Sequence, residues 1–256
     1  MGGTARYSKP MQWFEDEAFW ETFYPHLFSE DRMAAAPGEV DRLLALAGVP
    51  AGAALDLCCG PGRHSLALAQ KGFAVTAVDR SRFLLDKARE RTAGAPVEFV
   101  EADMRDFVRE GAFDLAVNLF TSFGYFETPD EDFQVLRNVR ASMKPGGVFI
   151  IDVIGKEYLA SLPSRTRWVE SPGKDLFVQH CGILPGWSRA RMQWLLVQQQ
   201  RALRYEYEHN VYSGQELYAL LRSAGFDEVQ LFGNLDGAFY DSAATRLVAR
   251  AQVRGN

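Results

Sequence analysis

The stretch LDLCCGPGRH, Leu55 to His64, decides the fold. A short apolar run carries a carboxylate, Asp56, and leads into two glycines, Gly60 and Gly62, before a segment that opens a helix. Glycines at such a turn let the backbone pass close to a ligand. The helix that follows offers free N–H groups and the positive end of its dipole. Dinucleotide-binding turns share this layout. However, Gly60-Pro61-Gly62-Arg63-His64-Ser65 lacks their third glycine, and a diphosphate would meet the Asp56 charge unfavourably. A ligand bearing an ammonium group reverses that sign.

Outward from this turn the chain keeps a regular beat. AALDLC reads as a buried strand, RHSLALAQKG as a helix ending at Gly72, and AVTAVD as a second strand. SRFLLDKARERT is a helix capped by Ser81, VEFVEAD a third strand and FDLAVNLF a fourth. DEDFQVLRNVRASMKPGG is a helix stopped by Pro145-Gly146-Gly147, and GVFIIDVIG is a fifth strand. Continuous apolar strands alternating with helices predict a parallel sheet covered on both faces, in an open doubly wound arrangement.

Residues 156–212 break the beat. FVQHCGIL, ARMQWLLVQ and ALRYEYEHNVY are β-rich and predict a cap of three antiparallel strands. SGQELYALLRSAGF is then a helix capped by Ser213, and DEVQLFG and TRLVARAQV form a closing hairpin. The expected fold class is therefore α/β: a Rossmann-like, mostly parallel seven-stranded sheet with a C-terminal antiparallel hairpin and an inserted antiparallel β cap. Residues 51–155 and 213–256 form the main domain and 156–212 the lid. Residues 1–50, helical and rich in aromatics, cover the site; EVDRLLALAGV is their regular amphipathic helix, closed by Gly48 and Pro50.

The formal net charge of −5 comes from mixed acidic and basic residues, which disfavours a non-specific nucleic-acid partner. Three cysteines, two of them adjacent (Cys58, Cys59), fit neither a disulfide framework nor a zinc site. Both are expected to pack rather than react, and His64 to sit at the surface or cap a helix. His26, His64, His180 and His209 stand at no metal-ligand spacing, so no metal is expected. No signal peptide or bilayer-length apolar run is read, and a cytoplasmic protein without a membrane partner is the expectation.

With Asp56-Leu57-Cys58-Cys59-Gly60-Pro61-Gly62 in view, the chain resembles the class I S-adenosylmethionine-dependent methyltransferases. Their first motif, D-x-G-x-G-x-G, is matched here except that Cys58 replaces the first glycine. The resemblance runs over residues 53–155 as four motifs in order and implies S-adenosylmethionine as cofactor and S-adenosylhomocysteine as product. It implies that Asp79, at the end of AVTAVD, holds the ribose, with Arg80 and Phe83 flanking the adenine. Asp103 and Met104 would clamp the base, and Asn118, Leu119 and Phe120 would border the methionine part.

A sulfonium methyl is already electrophilic, so such an enzyme mainly holds a nucleophile in line with it. The acceptor is expected to be a small molecule offering a nitrogen or an oxygen. Its pocket should lie between the NLFTSFGYF loop, the aromatic N-terminal segment and the cap. Tyr125 and His209 are the acid/base or orienting candidates, and Tyr7, Trp13, Trp20 and Trp194 the substrate-binding ones. Two other readings stay open at this level: an NAD(P)-dependent oxidoreductase, against which Asp56 and the missing glycine count, and an S-adenosylmethionine-binding protein with other chemistry.

Overall fold

A computed structural model describes residues 12–170, 175–199 and 201–255. Tyr7 lies outside them. Two helices, α1 (Glu17–Leu27) and α2 (Glu30–Ala47), precede the sheet. Then β1 (Ala53–Leu57), α3 (Arg63–Gln70), β2 (Ala74–Asp79), α4 (Arg82–Arg91), β3 (Val97–Glu101), β4 (Phe113–Asn118), α5 (Pro129–Ser142) and β5 (Met143–Val153) follow in turn. A short α6 (Lys156–Ser161) leads into β6 (Thr166–Glu170), β7 (Leu176–Ile183), β8 (Arg189–Gln198) and β9 (Arg201–Asn210). The chain closes with α7 (Gly214–Ser223), β10 (Glu228–Phe232) and β11 (Leu247–Gln252).

The main sheet has seven strands in the order β10-β11-β5-β4-β1-β2-β3, and β11 alone runs antiparallel to its neighbours. Its strands read as unbroken apolar runs because both faces are buried. Leu55, Leu57, Ala116, Phe149 and Ile151 face one core with Leu136 of α5 and Leu217 of α7. Ala54, Leu115, Val117 and Ile150 face the other, with Leu43 of α2 and Leu68 of α3. Strand order reverses between β1 and β4, so the crevice beyond their carboxyl ends is where this architecture binds ligands.

The cap is a separate antiparallel sheet, β6-β7-β8-β9. It holds four strands where three were expected, because every residue of β6 is exposed and shows no apolar alternation. Two helix bounds also shift. α5 ends at Ser142, since Met143 already pairs with Phe113 across β4 and β5. α2 starts at Glu30 and runs through Pro37 and Gly38, because Met33 and Ala36 bury on the same face as Val40 and Leu43. Ser81 and Ser213 cap α4 and α7 as their positions predict.

One glycine ties cap to core. Gly124, in the loop after β4, has φ +98°, and a Cβ there would lie 2.6 Å from the Asn210 carbonyl oxygen. That closeness lets the Asn210 N–H donate to the Gly124 carbonyl and joins the loop to the end of β9. Asp132 of α5 reinforces the seam by accepting from Asn210 Nδ2 at 2.7 Å and from the Tyr212 hydroxyl at 2.5 Å.

Candidate active site

A cavity of about 720 Å³ opens over the carboxyl ends of β1, β2 and β4, within the range of about 300–1,000 Å³ usual for small-molecule sites. Its floor is acidic. Asp79, ending β2, accepts the Gly60 N–H at 2.8 Å and the Ser81 N–H at 3.0 Å. Burial is the main cause that pushes its carboxyl up to about 6; these N–H bonds pull it back, and the Asp56 charge adds slightly. Asp56 lies beneath the turn and not on the cavity wall, with Oδ2 taken by the Ser65 hydroxyl at 2.5 Å. Burial raises its pKa against the nearby His64 and Arg63. Its charge therefore reaches the cavity through space rather than by contact.

The turn itself divides its labour. Gly60 lines the cavity, whereas Gly62 does not. At φ +73°, with its Cβ direction closed by Ala88 at 2.9 Å, Gly62 instead lets α3 approach α4. Cys58 takes φ +61° where the motif expects glycine, an uncommon conformation for other residues. Its thiol touches Met104 Sδ at 3.4 Å. Burial, with three nearby carboxylates adding, pushes that thiol well above its ordinary value, so it packs rather than reacts.

Arg80, Asp103, Met104, Leu119 and Phe120 all line the cavity. The family resemblance implied that Asp103 clamps the base, but its oxygens accept from Arg80, from Arg105 Nε and Nη2, and from the Arg105 backbone N–H. A carboxylate has about four acceptor positions, so Asp103 is saturated unless Arg80 moves. Phe83 stands away from the cavity and packs edge-on against Tyr24 with centroids 5.6 Å apart; Leu84 lines the wall in its stead. Asn118 lies just below, donating to the Leu57 carbonyl while its buried Oδ1 has no described partner.

Phe120 and Thr121 both carry positive φ, +57° and +64°. Non-glycine residues held this way cost about 1–3 kcal/mol each. Asp152 holds them by accepting the Phe120 N–H at 3.1 Å and, through its carbonyl, the Thr121 N–H at 2.9 Å. Arg246 locks Asp152 in turn at 2.6 Å. The Phe120 ring is thereby presented to the cavity between the Arg63 guanidinium, 4.2 Å from its centroid, and the stacked His64 ring at 5.4 Å.

Two carboxylates in this region escaped the sequence reading. Glu39 of α2 is buried between Arg63 and His64 Nε2, at 2.5 and 2.8 Å. Burial opposes its charge, but those two partners prevail and hold it below the ordinary value. His64 is therefore an interior residue, contrary to its expected surface position. Glu17 of α1 accepts from the Ser81 hydroxyl and from the Arg82 and Phe83 N–H groups, capping α4 from another element. A charge on the face that also carries Val40 and Leu43 was the available sign for Glu39. Nothing local marks Glu17.

The roof is aromatic. Trp13 stacks on Tyr207 with centroids 4.2 Å apart and meets Tyr125 edge-on at 4.9 Å, while Trp194 packs on Phe19 and Tyr207. Trp13, Trp20, Tyr125, Trp194, Tyr207 and His209 all line the cavity. The Trp20 indole N–H is spent on the Phe14 carbonyl, but those of Trp13 and Trp194 are buried without a described partner. Burial pushes the Tyr125 and Tyr207 hydroxyls above their ordinary range, so both stay protonated. Burial also lowers His209 to about 4, keeping its imidazole neutral. His209 Nδ1 lies 3.2 Å from the Asn210 carbonyl oxygen. A carbonyl only accepts, so Nδ1 carries the proton and Nε2 keeps a lone pair.

The floor fits S-adenosylmethionine: Asp79 retains acceptor capacity for hydroxyls, and the unpartnered Asn118 Oδ1 and the buried Asp56 suit an ammonium. Residues 54–147 match the family model of the methyltransferase domain. The chain is 28% identical over 196 residues to the cypemycin N-terminal methyltransferase of a Streptomyces species, covering 76% of this chain and 80% of that one. It is 36% identical over 104 residues to YqeM of Bacillus subtilis, named as a methyltransferase, but there the match spans 40% of this chain and 42% of the relative. The sugar N-methyltransferase KedS8 from Streptoalloteichus superposes with a TM-score of 0.70 at 20% identity, over 99% of this chain and 98% of that one.

Proposed function

We propose that this chain, which belongs to the class I S-adenosylmethionine-dependent methyltransferases, methylates an amine nitrogen of a small-molecule acceptor held under the aromatic roof. Membership of that family removes the nicotinamide reading. When bound, S-adenosylmethionine supplies an electrophilic methyl group on a sulfonium.

The observation that carries the choice of nitrogen is His209. Neutral, buried on the cavity wall and with Nδ1 engaged, it offers only a lone pair to what enters. A group with a pKa of about 4 is too weak a base to take the proton that a hydroxyl must lose, whereas a neutral amine attacks before it loses one and needs His209 only as a hydrogen-bond acceptor. Tyr125 lines the cavity between two roof groups: its ring lies 5.6 Å from that of His209 and meets Trp13 edge-on at 4.9 Å. Trp13 and Trp194 supply the apolar walls. The roof residues that line the cavity include no carboxylate. An ammonium therefore finds no counter-charge there, and the neutral, nucleophilic amine is favoured. The names of the cypemycin N-terminal methyltransferase and of the sugar N-methyltransferase KedS8 point to the same class of acceptor atom.

Labelled methyl from S-adenosylmethionine, offered with a panel of primary and secondary amines and their hydroxyl counterparts, should appear in the amines. Label confined to the hydroxyl compounds would overturn the reading. His209→Asn should lower kcat roughly 100-fold through lost orientation while leaving S-adenosylhomocysteine affinity unchanged. With His209 lowered to about 4, the parent's kcat at saturating S-adenosylmethionine should show no loss near the ordinary histidine pKa that the His209→Asn variant lacks.

A further inference from the structure

The roof holds positive charge that its rings do not explain. Arg165, just before β6, Arg167 within it, and Arg32 of α2 all line the cavity. Side chains alternate along an extended strand, so Arg165 and Arg167 share a side. The Arg165 carbonyl accepts the Cys181 N–H at 2.9 Å, and Arg167 pairs with Gln179 across β6 and β7. Arg32 and Arg167 come from different elements, yet their charges repel: burial and then Arg167 lower Arg32, against a weaker pull from Glu39.

None of the three has a carboxylate partner among the described residues. Arg167 donates to Gln179 Oε1 at 2.8 Å, Arg32 donates to the Leu27 carbonyl at 2.7 Å, and the Arg165 guanidinium lies 5.9 Å from the Trp187 ring centroid. The carboxylates that line the cavity, Glu39, Asp79 and Asp103, belong to the floor and are engaged by Arg63 and His64, by backbone N–H groups, and by Arg80 and Arg105. The unpartnered indole N–H groups of Trp13 and Trp194 add two more donors to the same enclosure. Like charges brought to one cavity repel, weakly where water screens them, and an anion placed between them turns that repulsion into attraction. The guanidinium fork matches the paired oxygens of a phosphate or a carboxylate.

We infer that the acceptor carries an anionic group, a phosphate ester or a carboxylate, held between α2 and β6 by Arg32, Arg165 and Arg167. This rests on reading the cavity beneath the cap as the acceptor site. The anion would fix one end of the molecule at the cavity mouth and leave its nucleophilic end beneath His209 and Tyr125. Binding would also draw the edge strand β6 toward α2.

The test is calorimetry on the full chain saturated with S-adenosylhomocysteine, with inorganic pyrophosphate and benzoate as probes. At least one should bind, with an affinity that falls as salt rises and is at least tenfold weaker in the Arg165→Gln/Arg167→Gln double variant. Stronger pyrophosphate binding assigns a phosphate ester, and stronger benzoate binding a carboxylate. Arg167→Lys, which keeps the charge and loses the fork, should give a smaller loss and carries the test if the double variant no longer binds S-adenosylhomocysteine. Binding of neither probe, or equal affinity in parent and variants, overturns the inference. Anion binding without methyl transfer to any amine would sink the nitrogen reading alone; amine methylation without anion binding would sink this one alone.

Discussion

The floor and the roof of the cavity are built on opposite principles. On the floor, Asp56 and Asp79 sit at or near the ends of adjacent parallel strands, and backbone N–H groups or near neighbours in sequence hold them. On the roof, Trp13, Tyr125, Trp194 and His209 come from separate parts of the chain and hold one another through ring contacts. The floor can thus be kept while the roof is altered, which suits a fixed cofactor and a variable acceptor.

The sharpest way to break this contrast is Phe19→Ala. Phe19 is fully buried and touches Trp13, Trp20, Phe23, Trp194 and Tyr205, so its truncation should cost about 3–5 kcal/mol in denaturant unfolding. S-adenosylhomocysteine affinity should survive under conditions where the variant is folded. Equal loss of roof stability and cofactor affinity would show that the two halves are one unit.

Asp79→Ala should act on the floor alone, weakening S-adenosylhomocysteine by about 1.5–3 kcal/mol, the scale of a hydrogen bond to a charged group. The sign of its pH dependence follows from the ionised carboxylate being the acceptor. Affinity is full above the raised value of about 6 and falls as pH drops through it. Calorimetry on either side of that value checks both points, and a pH-independent affinity would place the ribose elsewhere. The smallest effect is expected at the join. Glu17→Ala removes the remote cap on α4 and should cost about 0.5–2 kcal/mol, with proteolysis first appearing in α1. An unchanged digestion pattern would mean that the aromatic packing alone secures the N-terminal helices.

Legibility in the sequence follows the same division. The alternation of strands and helices, the caps at Ser81 and Ser213, and the acids near strand ends rest on nearest-neighbour periodicity, which a linear reading captures. Gly62 and Phe83 were assigned to the ligand because they stand in or beside a motif, but side-chain direction decides that, and both turn toward helix packing. Asp103 lines the cavity but is held by a pair of arginines that no local pattern marks. Strand β6 carried no apolar pattern because its exposed side chains face solvent or the open side of the cavity rather than a packed second layer.

Taken alone, the order of residues settled the doubly wound sheet, the place of its crevice and the sign of charge near the glycine turn. These depend on backbone periodicity and on groups a few positions apart. Tertiary structure decided which rings close the cavity, that Glu39 and Glu17 enter its surroundings, and that Arg32 and Arg167 line the same cavity. Those pairings join segments far apart in the chain, and only the packing of α1, α2 and the cap against the sheet brings their side chains within reach.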